Sequence, residues 1–408
     1  MSLAVTLLGL ICLPIIFSVS AGDKNDSKID VDEHRMLSTI TYLSSFTTRN
    51  TSTSEFQTAA EWVANQYRSI PGMKVELFEY TLPKGPRVPE DKQVVEVIAT
   101  LPGADDERVI VGGHLDSINM KGDVFTGHAP GADDDLSGMT LALECAHIMS
   151  TQKWQHTLQF VAFSGEEQGL YGSRALATFA KDHDWKIKGV FSSDMVGSIQ
   201  NRAGEKDSSQ VRVFSSDEDE TNSRELARYV AWLAETTKPQ DSIFFDNKED
   251  RVLQRHRDFD VKLVLRQDRF GRGGDHMSFN RGGYPAIRFV EVCEDYTRQH
   301  TPDDTVDQIN TQYLRHITRL NILGLSGLAN SPDAPIDVRI RRDQSRDTTL
   351  TWEGNADQDY IIYWRDSAST YWQGSTRVHG LKTTIMHINK DDNFFAVGVP
   401  GGTPVEAK

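Results

Sequence analysis

Three short apolar runs in this 408-residue chain end on side chains that bind protons or metal ions. Val109-Ile110-Val111-Gly112-Gly113 leads into His114 and Asp116, Phe160-Val161-Ala162-Phe163 into Glu166 and Glu167, and Val190-Phe191-Ser192-Ser193 into Asp194. Apolar runs of this length without alternation read as strands buried on both faces, the kind found in a parallel sheet covered by helices. Helical periodicity at Met139–Met149 and Gly172–Ala180 fills the gaps, and further apolar runs at Lys262–Leu265 and Ala286–Val290 continue the alternation. Upstream, the pattern is helical from Val31 to about Ser69, then strand-like at Lys74–Tyr80 and Gln93–Leu101. The expected fold is α/β: a three-layer domain with a mostly parallel mixed central sheet, followed by a small all-β sandwich.

In open α/β sheets, ligand sites form beyond the carboxyl ends of the strands. Three such ends carrying His, Glu-Glu and Asp would therefore deliver those groups to one edge. Two loops add to them: Pro130-Gly131-Ala132-Asp133-Asp134-Asp135 before an apolar helix, and His300-Thr301-Pro302-Asp303-Asp304 after the last strand. Each motif alone has an ordinary structural explanation as a cap, a rim histidine or a solvated acid pair; their coincidence at equivalent strand ends does not. Imidazole and carboxylate without thiolate suit zinc in a catalytic site. Two histidines and three carboxylates exceed what one zinc with an open position needs, and suffice for two ions if one carboxylate bridges. A water nucleophile also needs a proton acceptor that is not a ligand. Adjacent residues at a strand exit diverge, so one of Glu166 and Glu167 can bind metal while the other faces substrate. Asp116 is placed to accept the second N–H of His114 and fix its tautomer. The residues alone leave open which of Asp133, Asp134 and Asp135 bridges.

His114-Leu115-Asp116-Ser117, Pro130 to Asp134, Ser164 to Gly169, Ser193-Asp194-Met195 and His300-Thr301 resemble the successive motifs of the co-catalytic dizinc exopeptidases that include the bacterial leucyl aminopeptidases and glutamate carboxypeptidases. The resemblance runs in order from the N-terminal helices to about Leu328. It implies that His114 and Asp194 hold one zinc, Glu167 and His300 the other, and that Asp134 bridges. It also implies Glu166 as general base and then acid, with Asp116 supporting His114. The Gly-rich segment Asp268–His276 corresponds to a loop bordering the substrate pocket, and Tyr296 could donate to a developing oxyanion. His276 falls outside the ligand pattern and is expected to be structural.

An aminopeptidase needs acids or carbonyls for a free amine, which Glu166 and Asp275 could supply. A carboxypeptidase of the same family would need cations for a free carboxylate, with Arg272, Arg288 and Arg298 as candidates. A glutaminyl cyclase would share the fold with a single zinc. The N-terminal pattern favours the aminopeptidase, acting on peptides.

Composition narrows the rest. Lys and Arg total 44 against 59 Asp and Glu, a formal charge of −15, which argues against a nucleic-acid partner. Residues 1–21 carry no charged side chain and end on Val19-Ser20-Ala21, reading as a signal peptide and hence a secreted or periplasmic protein, with an uncleaved anchor as the alternative. No second apolar run of that length exists, so no membrane span is expected beyond the leader. Cys145 and Cys293 fall in apolar segments and are expected to be buried thiols. Asn25 and Asn50 lie in glycosylation sequons. At Asn330-Ser331-Pro332-Asp333-Ala334-Pro335 the composition changes to that of a linker, dividing a peptidase domain at 22–330 from 331–408. There period-two alternation takes over. The Pro-rich approach, Leu350-x-Trp352 and Tyr360-x-Ile362-x-Trp364 resemble a fibronectin type III module.

Overall fold

The computed structural model describes residues 29–218, 221–236, 259–343 and 345–408. The expected leader and the Asn25 sequon lie outside them. Helices α1 (Glu33–Ser44) and α2 (Ser54–Arg68) come first. Each starts on a side-chain cap: Asp32 accepts from the Arg35 N–H and Thr53 from the Phe56 N–H, satisfying first-turn amides that the helix itself cannot. The helical pattern expected from Val31 to Ser69 is thus interrupted. Residues 47–52 turn inward between the two helices, where Thr48 bridges to Ala129.

The chain continues through β1 (Lys74–Leu82), β2 (Lys92–Leu101), β3 (Arg108–His114), α3 (Leu136–Met149), β4 (Thr157–Phe163), α4 (Tyr171–Asp182) and β5 (Ile187–Ser193). It then forms β6 (Gln210–Phe214), α5 (Ser223–Thr236), β7 (Asp260–Val264), α6 (His276–Gly282), β8 (Ala286–Glu291) and α7 (Thr311–Asn330). Eight strands make one sheet in the order β1-β2-β4-β3-β5-β8-β6-β7. The central four, β4, β3, β5 and β8, are mutually parallel, whereas β1, β2 and β6 join antiparallel. The expected mixed, mostly parallel sheet is present. Phe163 pairs with His114 and Gly112 with Ser192, so the motif-bearing strands end level with one another.

Two glycines permit the close approach of α3 to those ends. A Cβ on Gly138 would lie 1.9 Å from the Ser193 carbonyl, and one on Gly113 would lie 2.3 Å from the Met139 nitrogen. The sheet's core residues, Val109, Val111, Phe160, Phe191 and Phe289, pack against Leu141, Cys145, Leu314, Ile317 and Leu325 from the helices. Each fully buried side chain of this type contributes about 1.5–3 kcal/mol. That packing is what fixes the strand ends in space.

Beyond α7 the described elements are all strands: β9 (Ile336–Ile340), β10 (Thr348–Glu353), β11 (Asp359–Asp366), β12 (Gly374–His379), β13 (Lys382–Ile385), β14 (Asn393–Gly398) and β15 (Val405–Glu406). They form two antiparallel sheets, β13-β10-β9 and β12-β11-β14-β15, over a shared core that includes Leu350, Trp352, Tyr360, Ile362 and Phe395. The linker segment is anchored: the Ser331 carbonyl lies 2.8 Å from His156 Nε2 and accepts from Lys188 Nζ at 3.2 Å. Tyr371 reaches the outer edge of β7, accepting from the Leu263 N–H and donating to the Val261 carbonyl, both at 3.1 Å. Cys145 is buried and Cys293 half-buried; both are free thiols. Asn50 is buried, its amide donating to the Val124 carbonyl and accepting from Ser52, so the folded chain does not present that sequon. Among the described residues no helix is long and apolar enough to cross a membrane.

Candidate metal centre

The three level strand ends bring His114, Glu167 and Asp194 together, and the loops before α3 and after β8 add Asp134 and His300. Asp134 lies between the two imidazoles. Its Oδ1 is 3.0 Å from His114 Nε2 and its Oδ2 is 3.1 Å from His300 Nε2. His300 Nε2 is also 3.1 Å from Glu167 Oε2, and His114 Nε2 is 3.9 Å from Asp194 Oδ1. Ligand atoms of His114, Asp134 and Glu167 lie within 4.8 Å of one another, as do those of His114, Asp135 and Asp194.

The neighbours of Asp134 have other employment. Asp135 caps α3 through the Gly138 N–H and also accepts from the His114 and Met195 N–H groups, stitching β3, α3 and the exit of β5 together. Asp133 accepts from the Gly197 N–H, and Asp304 holds the turn by accepting from the Asp133 and Asp134 N–H groups. Asp134 alone of the three faces both imidazoles. Backbone amides thus occupy the carboxylates of Asp133 and Asp135.

Asp116 differs from expectation in one respect. The group 2.9 Å from His114 Nδ1 is the backbone carbonyl of Asp116, while its carboxylate oxygen stands 3.7 Å away. That carboxylate instead accepts the Glu166 and Glu167 N–H groups at 3.3 and 3.1 Å. The orientation of His114 is still set, with Nδ1 on the Asp116 carbonyl and Nε2 turned toward Asp134 Oδ1, and the turn carrying both glutamates is fixed to β3's exit. Burial pushes the Asp116 carboxyl up to about 6.

Burial also pushes the Glu166 carboxyl well up, helped by Asp194, Glu167 and Asp275 and opposed by His114. The His300 imidazole is held up at about 11, burial being outweighed by Glu167 and Asp134. Such a concentration of buried negative charge favours any cation that enters. The donor set fits zinc: two imidazoles and three carboxylates, with the Glu167 Oε1 and Asp194 Oδ1 atoms buried and without hydrogen-bond partners. Orphaned acceptors of this kind are what a coordinated cation satisfies.

The remaining expected residues divide. Asp275 is buried, caps no α6 amide with its side chain, and has Oδ1 unpartnered; burial raises it to about 7. Tyr296 is 52% exposed and its hydroxyl donates to Glu294 at 2.9 Å, so it serves an oxyanion only after leaving that partner. The Arg272 guanidinium sits 4.9 Å over the Tyr296 ring. His276 is buried with Nε2 2.7 Å from the Gln267 carbonyl, the structural role expected.

Sequence reasoning missed Arg49 altogether and named Arg288 only as a candidate for holding a free carboxylate. Arg49, fully buried, donates to the carbonyls of Leu115 at 2.8 Å, Leu43 at 3.1 Å and Gly131 at 3.0 Å, and to Pro130. It thereby holds the His114 loop against the Asp134 loop. Arg288 pairs with Asp194 and with Asp268, each at 2.6 Å. Gln299 was missed as well; its amide donates to Asp134 Oδ2 at 2.6 Å.

Comparison with known proteins adds three findings. The family described as Peptidase family M28 matches residues 96–324. A probable zinc metalloprotease of Leptosphaeria maculans is 30% identical over 402 residues, covering 88% of this chain and 89% of that one. Among solved structures, the Legionella pneumophila LapA aminopeptidase superposes with a TM-score of 0.56 at 19% identity, covering 74% of this chain and 73% of that one. The Fimbriiglobus ruber glutaminyl cyclase does so with a TM-score of 0.54 at 18% identity, covering 72% and 95%. At such identities the two structures speak to the fold alone.

Proposed function

The chain belongs to peptidase family M28 and is a zinc metallopeptidase, and from that premise we propose that it is an exopeptidase of the aminopeptidase type holding two zinc ions. The observation that carries the reading is the shared carboxylate of Asp134, with one oxygen toward His114 and the other toward His300. His114 and Asp194 would hold one ion, Glu167 and His300 the other. Bound there, the ions supply a polarised carbonyl and an acidified water.

The chain's own residues supply the rest. Glu166 follows a strand end, shares its turn with a ligand, and has a carboxyl that burial makes basic. It takes a proton from the attacking water and returns it to the departing amine. Asp116 fixes the orientation of that turn through two N–H groups. Charge supports a preference for a free amine, although Arg272, which stacks on Tyr296, keeps its guanidinium clear of any carboxylate among the described residues. Of the arginines that could hold a free carboxylate, Arg288 is consumed by Asp194 and Asp268, and Arg298 by Asp307 and Gln308. Glu166 and Asp275 leave the region acidic, which suits an ammonium group.

The reading places the activity outside the cytoplasm, which the apolar leader of residues 1–21 supports. It also takes residues 331–408 as a fibronectin type III-like module, supported by two small antiparallel sheets over one core. A panel of amino-acid anilides, N-acetylated counterparts and a glutamine-led peptide tests the activity. Cleavage of the free-amine anilides, none of the acetylated ones, loss with chelator and recovery with zinc are expected. Cleavage confined to the C-terminal bond of blocked peptides would establish a carboxypeptidase instead, and ammonia release from the glutamine peptide a cyclase.

A further inference from the structure

The segment Asp268–Asp275, between β7 and α6, is tied to Asp194 by one side chain. Arg288 on β8 is 1% exposed, and its guanidinium spans two carboxylates. Nη2 is 2.6 Å from Asp194 Oδ2 and Nη1 is 2.6 Å from Asp268 Oδ2. Nη1 also donates to the Gly273 carbonyl near the far end of the segment. A Cβ on Gly274 would lie 2.8 Å from Nη1, so the segment's backbone is pressed against the guanidinium.

The chain of charges continues outward. Asp268 accepts from the Arg269 backbone N–H at 2.6 Å and from its Nε at 3.0 Å. Arg269 pairs with Glu294, which also pairs with Arg212 and accepts from the Tyr296 hydroxyl. Alternating charges thus run from Asp194 to the exposed ring of Tyr296, over which Arg272 sits.

A fully buried guanidinium has no water to balance it, so its position is decided by the carboxylates it touches. Asp194 gives Arg288 one oxygen and keeps the other, Oδ1, unpartnered. A cation at Oδ1 neutralises Asp194 and repels Arg288, which strengthens its hold on Asp268 and Gly273. With the cation gone, the bare charge of Asp194 draws Arg288 the other way and loosens the segment.

We propose that Arg288 is a positioning residue that couples cation binding at Asp194 to the conformation of the Asp268–Asp275 segment, each stabilising the other. The inference rests on the reading of Asp194 as a zinc ligand. Because coupling between two sites is reciprocal, a change in the segment must alter zinc affinity by the factor with which zinc alters the segment.

The segment carries two trypsin sites, Arg269 and Arg272, and Arg342 in the C-terminal strands offers an exposed reference site. Full-length protein is digested with zinc or with chelator, and cleavage at each arginine is followed by mass spectrometry. Zinc affinity is measured by competition with a chromophoric chelator. Zinc is expected to slow cleavage at Arg269 and Arg272 about fivefold or more relative to Arg342. Asp268→Asn, which removes the counter-charge and leaves Arg288 to compete for Asp194, is expected to erase most of that protection. It should also weaken zinc binding by about tenfold.

Equal cleavage with and without zinc, or a folded Asp268→Asn protein binding zinc as tightly as the parent, overturns the coupling. Should Asp268→Asn not fold, the zinc dependence of cleavage in the parent chain decides alone. Protection by zinc in a chain that hydrolyses no peptide sinks the enzymatic reading and leaves the coupling standing. Hydrolysis without protection does the reverse.

Discussion

Oδ1 of Asp134 lies 3.0 Å from Nε2 of His114, and the other oxygen of the same carboxylate is as near to His300. One short side chain therefore belongs to both halves of the site. Asp134→Asn keeps the shape and removes the charge. The expected outcome is loss of bound zinc from both halves, measured by elemental analysis after gel filtration, with activity down by a factor on the order of 10² or more. Retention of two ions per chain would exclude Asp134 as the bridge.

Glu166→Gln separates proton transfer from metal binding. Zinc content is expected to stay near normal while kcat falls by about 10²–10⁴, with KM changed far less. Unchanged kcat would remove Glu166 from the reaction.

Arg49→Met tests the buried clamp between the His114 and Asp134 loops. Four carbonyls lose a charged donor and no water can reach them, so unfolding free energy is expected to fall on the order of 3 kcal/mol, read from urea melts. A drop below about 0.5 kcal/mol would show that the loops hold themselves.

The pH dependence of stability has a separable contribution from His276. Burial pushes this imidazole down to about 4 from an ordinary value near 6.5. Between those values the unfolded chain binds the proton and the folded chain does not. The contribution is therefore complete above about pH 6.5 and is lost as pH falls toward 4, on the order of 3 kcal/mol in all. Buried Asp116, raised to about 6, acts with the opposite sign, so the parent alone does not isolate the effect. His276→Gln compared with the parent at pH 7.5 and 4.5 does. The gap in urea midpoint between the two proteins should narrow at the lower pH, and a constant gap would show that His276 is protonated in the folded state.

The strand ends of the centre were legible in the sequence because a parallel sheet forces local signals: an apolar run of fixed length, then a sharp exit where chemistry sits. His114, Glu167 and Asp194 each follow such a run. Strand β6 gave no comparable signal, because Gln210 and Arg212 interrupt its apolar residues and it lies near the sheet's edge. Arg49, and the pairing of Arg288, were illegible for a different reason. Their partners are backbone carbonyls and carboxylates distant in sequence, and no spacing rule links Arg49 to Pro130 or Arg288 to Asp268. The partner of His114 Nδ1 was assigned to the right residue and the wrong atom, since a spacing of two fits the carbonyl of Asp116 as well as its side chain.

Tyr371 meets the outermost strand at the two atoms, Leu263 N and Val261 O, that would otherwise face outward from the sheet. A sheet margin with free amides and carbonyls is a template on which a second copy can dock strand to strand. By setting a phenol on that margin, the loop between β11 and β12 takes up two of the groups such a docking strand would use.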